Sequence, residues 1–322
     1  MLTLVAEIAA LTGRMVELTG AGKVPRLRRN NRVRSIHSSL AIENNTLTLE
    51  QVTAVIAGKR VLGPPREVGE VRNAFAAYDA MDSWSPFSAK DLLTAHRLLM
   101  GGLIPEAGKF RSRSVGIAQG QRIVHLAPPA ARVPALMKDL LGWLRRTDSH
   151  PLISGCIFHY ELEFIHPFAD GNGRIGRLWQ SLVLSRWNPL FAWLPVESVI
   201  RDRQASYYQV LAACDKAGNS SSFVEFMLAA ILTALREAAG TEQDTEPVTE
   251  QVGRLLTVLG ETEQSAGTLM QALALVHRPT FLYTYLQPAL AAGLIARTLP
   301  DKPTSRLQKY RLTPRGRARI TR

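Results

Sequence analysis

The stretch from His166 to Arg177 constrains the fold most, because it places a polar, glycine-rich loop between two apolar helical segments. Its sequence is HPFADGNGRIGR. The segment before it, Pro151 to Ile165, has apolar residues at helical spacing and begins with a proline, which suits a first turn. Residues 174–187 show a second apolar helical face. The loop therefore leads into a helix N-terminus, where unpaired N–H groups and the helix dipole favour an anion.

The side chains of this loop suit phosphate chemistry. Gly171 and Gly173 let the backbone approach an anion closely. Arg174 and Arg177, one turn apart, can hold outer phosphates. Asp170 can supply a hard oxygen ligand to magnesium, which binds through one or two carboxylates plus substrate phosphates. The loop therefore indicates a site for a nucleoside triphosphate with magnesium.

His166 adds a proton acceptor. Because it precedes Pro167, we expect it to be extended, so that the helix ends there and the imidazole projects from it. From that position it can accept a proton from a hydroxyl that attacks phosphorus. In outline, this is a nucleotidyl-transfer site.

Two other interpretations of the glycines stay open. Residues 171–176 satisfy G-x-G-x-x-G, but the dinucleotide fingerprint follows a β-strand, and this stretch follows a helical segment. The glycines could also form a purely structural turn. No GK[ST] sequence follows, which excludes a Walker A loop.

The stretch resembles the signature of the Fic (filamentation induced by cAMP) family, H-x-F-x-[DE]-G-N-G-R-x-x-R, with every defining position filled. The resemblance spans most of residues 30–235. It implies an all-α Fic-type bundle and transfer of AMP from ATP to a Ser, Thr or Tyr hydroxyl of a target protein. It makes His166 the general base, Asp170 the Mg²⁺ ligand and Phe168 a core anchor. The implied phosphate-binding residues are Gly171, Asn172, Gly173, Arg174 and Arg177. The intact Gly-Asn-Gly argues against the related Doc-type kinases.

A second motif lies ahead of the signature. Residues 32–43 predict a helix on which Ser39 and Glu43, four apart, share a face. With Asn44 they are similar to the family's inhibitory motif, [ST]-x-x-x-E-[GN]. The resemblance implies that Glu43 pairs with Arg177 and occupies the space that the γ-phosphate needs. The alternative is an ordinary helix face that ends with Asn44 or Asn45 as a left-handed cap.

Two further stretches match the family. Alternating runs at 114–118 and 122–126 predict a β-hairpin. The resemblance makes it a flap that holds a target segment as an added strand through Val115, Gly116, Ile117 and Ala118; a surface hairpin without function is the alternative. Residues 198–218 resemble the helix that closes the nucleotide pocket, with Tyr207 and Tyr208 near adenine and ribose. Because they are adjacent, we expect one to stack and the other to pack.

The composition permits two domains and predicts no secretion. The chain has 322 residues and is 46% hydrophobic. Its two cysteines provide neither a disulfide framework nor a metal cluster. The N-terminus is apolar but carries Glu7 and lacks a basic lead, so we expect no signal peptide. No apolar run is long enough to span a bilayer, and the cytoplasm is the expected location.

The predicted domains are an N-terminal helical region (1–90), a catalytic core (91–237), a linker (238–247) and a winged helix-turn-helix domain (248–322). The net charge of +12 is concentrated at 23–34 and 297–322. A basic tail favours a polyanionic partner such as DNA, with the third helix of the last domain in the major groove. A solvated face, a protein-docking surface or a homodimer is the alternative.

The sequence thus predicts a protein adenylyltransferase restrained by Glu43, with ATP as substrate and an unidentified target protein or the chain itself as acceptor. Two alternatives remain. The chain could be a DNA-binding regulator whose Fic part senses nucleotide, or an enzyme that uses the same site to remove AMP or to transfer another nucleotide.

Overall fold

The structure is a computed structural model that describes residues 1–19, 25–119, 122–244, 250–291, 293–300, 305, 307–314 and 316–317. It divides into two compact units, Met1–Ala239 and Gly240–Arg322. Within the described ranges, no helix combines the length and the apolar character needed to cross a membrane.

Helices build the first unit, and the predicted all-α class is confirmed. They are α1 (Leu2–Thr19), α2 (Pro25–Ile42), α3 (Leu49–Ile56), α4 (Pro65–Ala80), α5 (Ala89–Met100), α6 (Val133–Arg146), α7 (Pro151–Ile165), α8 (Asn172–Trp187), α9 (Val196–Asp202), α10 (Gln204–Ala217) and α11 (Ser221–Asp244). Single 3₁₀ turns lie at Met81–Ser83, Ala130–Arg132 and Pro189–Ala192.

The α7–α8 pair lies between two hydrophobic cores. Phe158 of α7 and Trp179 of α8 belong to a core shared with α2 to α6. Cys156 of α7 and Leu184 of α8 belong to a second core, shared with α1 and α9 to α11. This double burial explains why both helices carry apolar residues on more than one side. It also fixes the two ends of the loop that joins them.

Local signals near the helix ends are confirmed. The sequence Thr48-Leu49-Glu50-Gln51 predicts a capping box, and Thr48 and Gln51 form one at the start of α3. Asn44 has φ 66°, so of the two predicted candidates it is the left-handed residue that ends the turn after α2.

Two helix boundaries differ from the prediction. The single helix predicted over 198–218 is interrupted at Arg203, whose backbone leaves helical geometry (φ −118°, ψ 29°) and whose N–H is shared between the carbonyls of Val199 and Ile200. Helix α11 extends to Asp244, through the first seven residues of the predicted linker at 238–247. The stretch at 198–218 contains no proline and no glycine before Gly218, so nothing in the sequence marks the break at Arg203. The predicted linker contains Gly240 and Pro247, and α11 continues through Gly240 to Asp244, since an isolated glycine is tolerated inside a helix.

A β-hairpin is present where it was predicted. Strands β1 (Gly116–Gln119) and β2 (Arg122–Leu126) are antiparallel, with Gly116 opposite Leu126 and Gln119 opposite Arg122. The register shifts between Ile117 and Ala118. The first strand begins two residues later than the predicted run at 114–118.

The second unit combines helices with a small sheet. Its elements are α12 (Glu250–Leu259), β3 (Gln264–Ser265), α13 (Ala266–Ala272), α14 (Arg278–Thr280), a π-helical segment (Phe281–Leu286), α15 (Gln287–Ala291), β4 (Ile295–Arg297) and β5 (Lys309–Leu312). The sheet has the order β3-β5-β4. Strand β3 is too short to show alternation and was not predicted. The sequence Pro300-Asp301-Lys302-Pro303 predicts a turn, most of which lies outside the described residues. The winged helix-turn-helix assignment stays an interpretation.

Candidate active site

His166 lies at the exit of α7. Its N–H still donates to the carbonyl of Leu162 at 2.9 Å, but its backbone is left-handed, with φ 50° and ψ 60°. The prediction of an extended His166 is therefore wrong. A proline acts mainly against the right-handed helical region in the residue before it, and a left-handed residue is a common way to end a helix.

The imidazole of His166 is half-buried and oriented by its own helix. Its Nδ1 lies 3.3 Å from the carbonyl oxygen of Glu163. Because a carbonyl oxygen only accepts, Nδ1 carries the proton in this contact, and Nε2 is the nitrogen that can accept one. The ring is thus held in the tautomer that a general base requires.

The side chain of Asn172 bonds to the main chain of Phe168 within the same loop. Its Oδ1 accepts from the N–H of Phe168 and its Nδ2 donates to the carbonyl of Phe168, both at 2.9 Å. Asn172 is buried, so this side chain braces the loop from within. If Asn172 binds phosphate as predicted, it would do so through its main-chain N–H and not through its side chain.

Phe168 and His96 support the loop from below. Phe168 is fully buried and stacks on the ring of His96, with centroids 3.7 Å apart. The Nδ1 of His96 accepts from the N–H of Gly108, so its Nε2 donates to the main-chain oxygen of Asp170, both at 2.9 Å. Burial lowers the pKa of His96 to about 4, and the ring is neutral at pH 7. His96 lies among the apolar positions of its helix, a pattern that predicts a core histidine and gives no sign of this bond.

The N-terminus of α8 is arranged to hold an anion. Gly171, the N-cap residue, is left-handed with φ 87°, and a Cβ there would lie 2.7 Å from the sulfur of Met100. Among the described residues, no side chain caps this helix. The N–H groups of its first turn and its dipole therefore favour negative charge at this point.

Arg174 is held by two carboxylates. Its guanidinium lies 3.0 Å from Oδ1 of Asp170 and 3.5 Å from Oε1 of Glu70 on α4. Its buried Nε atom has no hydrogen-bond partner among the described residues. Asp170 is half-exposed and also lies 3.5 Å from the guanidinium of Arg66. The sequence does not predict the role of Glu70, because nothing local links α4 to the loop.

Arg177 is buried against the predicted inhibitory helix. Its Nε donates to Oγ of Ser39 at 3.0 Å, and its Nη2 donates to the carbonyl of Ser39 at 3.0 Å and to Oε1 of Glu43 at 2.8 Å. Burial alone would lower the pKa of Arg177, but the charge of Glu43, which also accepts a hydrogen bond from the guanidinium, acts in the opposite direction, and the pKa lies above its ordinary value. The structure thus brings together the two residues that the motif paired.

Glu43 also reaches the start of α8. A Cβ added to Gly173 would contact Oε1 of Glu43, so the carboxylate lies directly against the main chain of this glycine. A negative group therefore already occupies the place that the helix N-terminus prepares for an anion.

Several contacts hold the turn that carries Glu43. The carbonyl of Ile42 accepts from the Nε2 of Gln204 on α10 at 2.9 Å. On the other side, Asn45 donates to Oε2 of Glu70 at 2.9 Å. Glu70 thereby connects this turn with Arg174. These are long-range contacts of single polar residues, which periodicity does not reveal.

The two adjacent tyrosines have different environments. Tyr207 is fully buried, and its hydroxyl lies 3.1 Å from Nε2 of His159. Tyr208 is 41% exposed and its hydroxyl lies 3.5 Å from the carbonyl of Ile42. Of the pair, Tyr208 is the one whose ring is accessible to a ligand.

The hairpin offers an open strand edge. Gly116, Ile117 and Ala118 lie in β1, and Val115 immediately precedes it. In the described part of the chain, β1 pairs only with β2, so its other edge has no strand partner. The structure describes the backbone of these strands but not the side chains of residues 116–126.

Comparison with known proteins agrees with this arrangement. The Fic/DOC family model matches residues 86–184, and the model for the C-terminal domain of filamentation induced by cAMP protein Fic-like matches residues 250–313. The crystal structure of a Fic family protein from Desulfovibrio desulfuricans G20 is 59% identical, with a TM-score of 0.74 over 97% of this chain and 95% of that one. This chain belongs to the Fic family.

More distant relatives are also similar. Fic-1 (aa134–508) from C. elegans is 25% identical, with a TM-score of 0.64 over 76% of this chain and 73% of that one. The curated "Protein adenylyltransferase Fic" of Culex quinquefasciatus is 30% identical over 61% of this chain, and its Nematostella vectensis counterpart 29% over 60%. The matches cover 39% and 45% of those proteins, so the chain spans less than half the length of these relatives.

We expect Asn172→Ala to destabilise the first unit by roughly 1–3 kcal/mol, because it leaves the buried N–H and C=O of Phe168 without partners. Denaturant unfolding followed by tryptophan fluorescence measures this, since all five tryptophans lie between Trp84 and Trp193. Asn30→Ala, at an exposed position of α2, is the matched control. Equal midpoints for the two variants would contradict a bracing role.

Proposed function

We propose that this chain is a protein adenylyltransferase that transfers AMP from ATP to a Ser, Thr or Tyr hydroxyl of a target protein. One observation carries the proposal: His166, in the tautomer of a base, shares a short loop with an uncapped helix N-terminus and two buried arginines. The names of the curated relatives support the same reaction class.

The phosphates of ATP would bind at the start of α8. The main-chain N–H groups of Gly171, Asn172 and Gly173 would hold the α- and β-phosphates. Arg174 and Arg177 would contact the β- and γ-phosphates, and the unpartnered Nε of Arg174 is a donor suited to that role. Tyr208, the accessible member of its pair, would lie beside the nucleoside.

Asp170 is the residue that would hold magnesium. Within the described residues, no group of three His, Cys, Asp or Glu side chains could bind a metal by itself. A half-exposed carboxylate beside a phosphate site nevertheless fits Mg²⁺, which takes its remaining ligands from phosphates and water. When bound, the ion would neutralise charge on the triphosphate.

In the reaction, the target hydroxyl would attack the α-phosphorus of ATP. Its proton would pass to Nε2 of His166 as the new P–O bond forms. The bond from the α-phosphorus to the oxygen that bridges to the β-phosphate would break, and pyrophosphate would leave. The arginines would stabilise the charge on this leaving group.

Glu43 would restrain the enzyme. Its carboxylate pairs with Arg177 and lies against Gly173. It would repel a γ-phosphate there, so that ATP could not place its α-phosphorus in line with the attacking hydroxyl. The contacts of Gln204 and Asn45 would stabilise this restrained state.

The target segment would bind as an added strand along the open edge of β1. Main-chain hydrogen bonds along Val115, Gly116, Ile117 and Ala118 would position the hydroxyl while demanding little of the target sequence. The acceptor would be another protein or a second copy of this chain. The same site could also remove AMP or use another nucleotide, which assays of the reverse reaction and of other triphosphates would reveal.

A DNA-binding regulator is the second candidate. Arg278, Tyr283 and Gln287 of the predicted third helix are exposed, as base-reading or phosphate-binding side chains must be. Part of the basic charge is already neutralised, because Arg311 and Arg317 pair with Glu263 and Glu261 at 3.8 and 3.2 Å. The enzyme is favoured, because a nucleotide sensor would not need His166.

We expect Glu43→Gly to raise AMP transfer tenfold or more. If the Glu43 carboxylate opposes the γ-phosphate by only about 1.4 kcal/mol, it already slows transfer tenfold. Glu43→Gln, which keeps the size but removes the charge, should be intermediate. The measurement is incorporation of label from ATP labelled in its α-phosphate, with magnesium and a lysate. Asp148→Gly, at an exposed loop acid, is the control. Equal labelling by Glu43→Gly and the parent would end the autoinhibition proposal.

We expect His166→Ala, made in the Glu43→Gly variant, to lower transfer by about 10²–10⁴-fold, the usual contribution of a general base. Affinity for a nonhydrolysable ATP analogue should stay within about threefold, since the phosphate donors remain. His277→Ala, an exposed histidine of the second unit, is the control. Full activity of the His166 variant would refute the assigned role.

For the second candidate, we expect duplex DNA to bind the full chain with an affinity that falls steeply as salt is added, because released counterions drive such binding. Fluorescence anisotropy of a labelled duplex across a salt series measures it. An unchanged anisotropy at low salt would remove DNA from the list of partners.

A further inference from the structure

The buried guanidinium of Arg111 has an unusual set of partners. Arg111 is 3% exposed, yet no carboxylate pairs with it among the described residues. All of its side-chain hydrogen bonds in that part of the chain go to main-chain carbonyl oxygens. Burial lowers its pKa, but an arginine remains protonated in proteins. A buried cation needs compensation, so its acceptors are informative.

Two of these acceptors lie at the end of α7. The Nε of Arg111 donates to the carbonyl of His166 at 2.7 Å, and an Nη2 donates to the carbonyl of Ile165 at 3.3 Å. The main-chain N–H of Arg111 donates to the carbonyl of Pro167 at 2.9 Å. The last carbonyls of a helix lack intrahelical partners and carry the negative end of its dipole. They therefore stabilise the charge while Arg111 fixes the backbone of His166.

The other two acceptors lie at the two ends of the hairpin. Nη1 donates to the carbonyl of Arg113, three residues before β1, at 2.9 Å. Nη2 donates to the carbonyl of Pro128, two residues after β2, at 2.6 Å. One planar group thus joins both ends of the hairpin to the segment that carries His166.

We propose that Arg111 is a positioning residue that sets the distance between the edge of β1 and the imidazole of His166. This inference rests on the proposed function, in which the strand edge presents the hydroxyl and His166 takes its proton. A displacement of about 1 Å between reacting groups can cost about 10²-fold in rate. Only the rigid fork of an arginine can serve carbonyls in these different directions, because a lysine is a flexible point donor.

Arg111→Lys keeps the charge and loses the fork. In the Glu43→Gly variant, we expect it to lower the rate of label transfer from ATP, to the chain itself and to lysate proteins, by about 10–100-fold. Affinity for the nonhydrolysable ATP analogue should stay within about twofold, because no described phosphate-binding residue contacts Arg111. Arg113→Lys is the matched control, since that exposed residue contributes only its carbonyl. A parental transfer rate for Arg111→Lys, or equal losses of transfer and nucleotide affinity, would overturn the proposal.

Hydrogen exchange tests, without an activity assay, whether Arg111 couples the hairpin to the segment that carries His166. With Arg111→Lys in the otherwise unchanged full chain, we expect amides in segments 113–128 and 165–168 to exchange about tenfold faster together, as lost hydrogen bonds of this kind imply. Amides of α11 should be unchanged. Faster exchange in one segment only, or throughout the first unit, would contradict this coupling. If Glu43→Gly transfers no AMP at all, the proposed function fails, and this measurement still decides whether Arg111 couples the hairpin to the loop.

Discussion

The burial of α7 and α8 between two hydrophobic cores is the constraint on which the site depends. Each helix contributes side chains to both cores, so neither can rotate or slide without disturbing one of them. The loop between them therefore has fixed ends. Within those ends, the bonds of Asn172 to Phe168 and of His96 to Asp170 leave little freedom to the main chain. Preorganisation of this kind lets weak donors such as backbone N–H groups act on a reacting phosphate.

Charge balance links the proposed inhibition to substrate binding. Arg177 is buried, and a buried charge that loses its partner is destabilised, so release of Glu43 would favour the entry of another anion beside Arg177. A triphosphate is such an anion. In the proposed mechanism, activation would be an exchange of one negative group for another at the same arginine and the same helix N-terminus. The contact of Ile42 with α10 and that of Asn45 with α4 would then determine how easily Glu43 moves away from Arg177.

The sequence predicted the features that depend on residues close together in the chain. The spacing of apolar residues located most helices, the capping box marked the start of α3, and Asn44 ended the turn after α2. It did not predict the left-handed His166, because the helix end determined that conformation rather than the following proline. Glu70 was missed for another reason. It meets Arg174 across more than a hundred residues, and such a contact leaves no periodic trace in either segment.

The polar side chains in and beside the loop fall into two sets with different physical tasks. Arg174 and Arg177 present donors whose carboxylate partners a substrate anion can replace, and His166 keeps Nε2 as the nitrogen that can accept a proton. Asn172 and Arg111 are instead bonded to main-chain atoms, which no substrate can displace without unfolding the loop. Since a catalytic group works only if its support does not move with it, the buried main-chain bonds would provide the fixed frame against which the exchangeable ones operate.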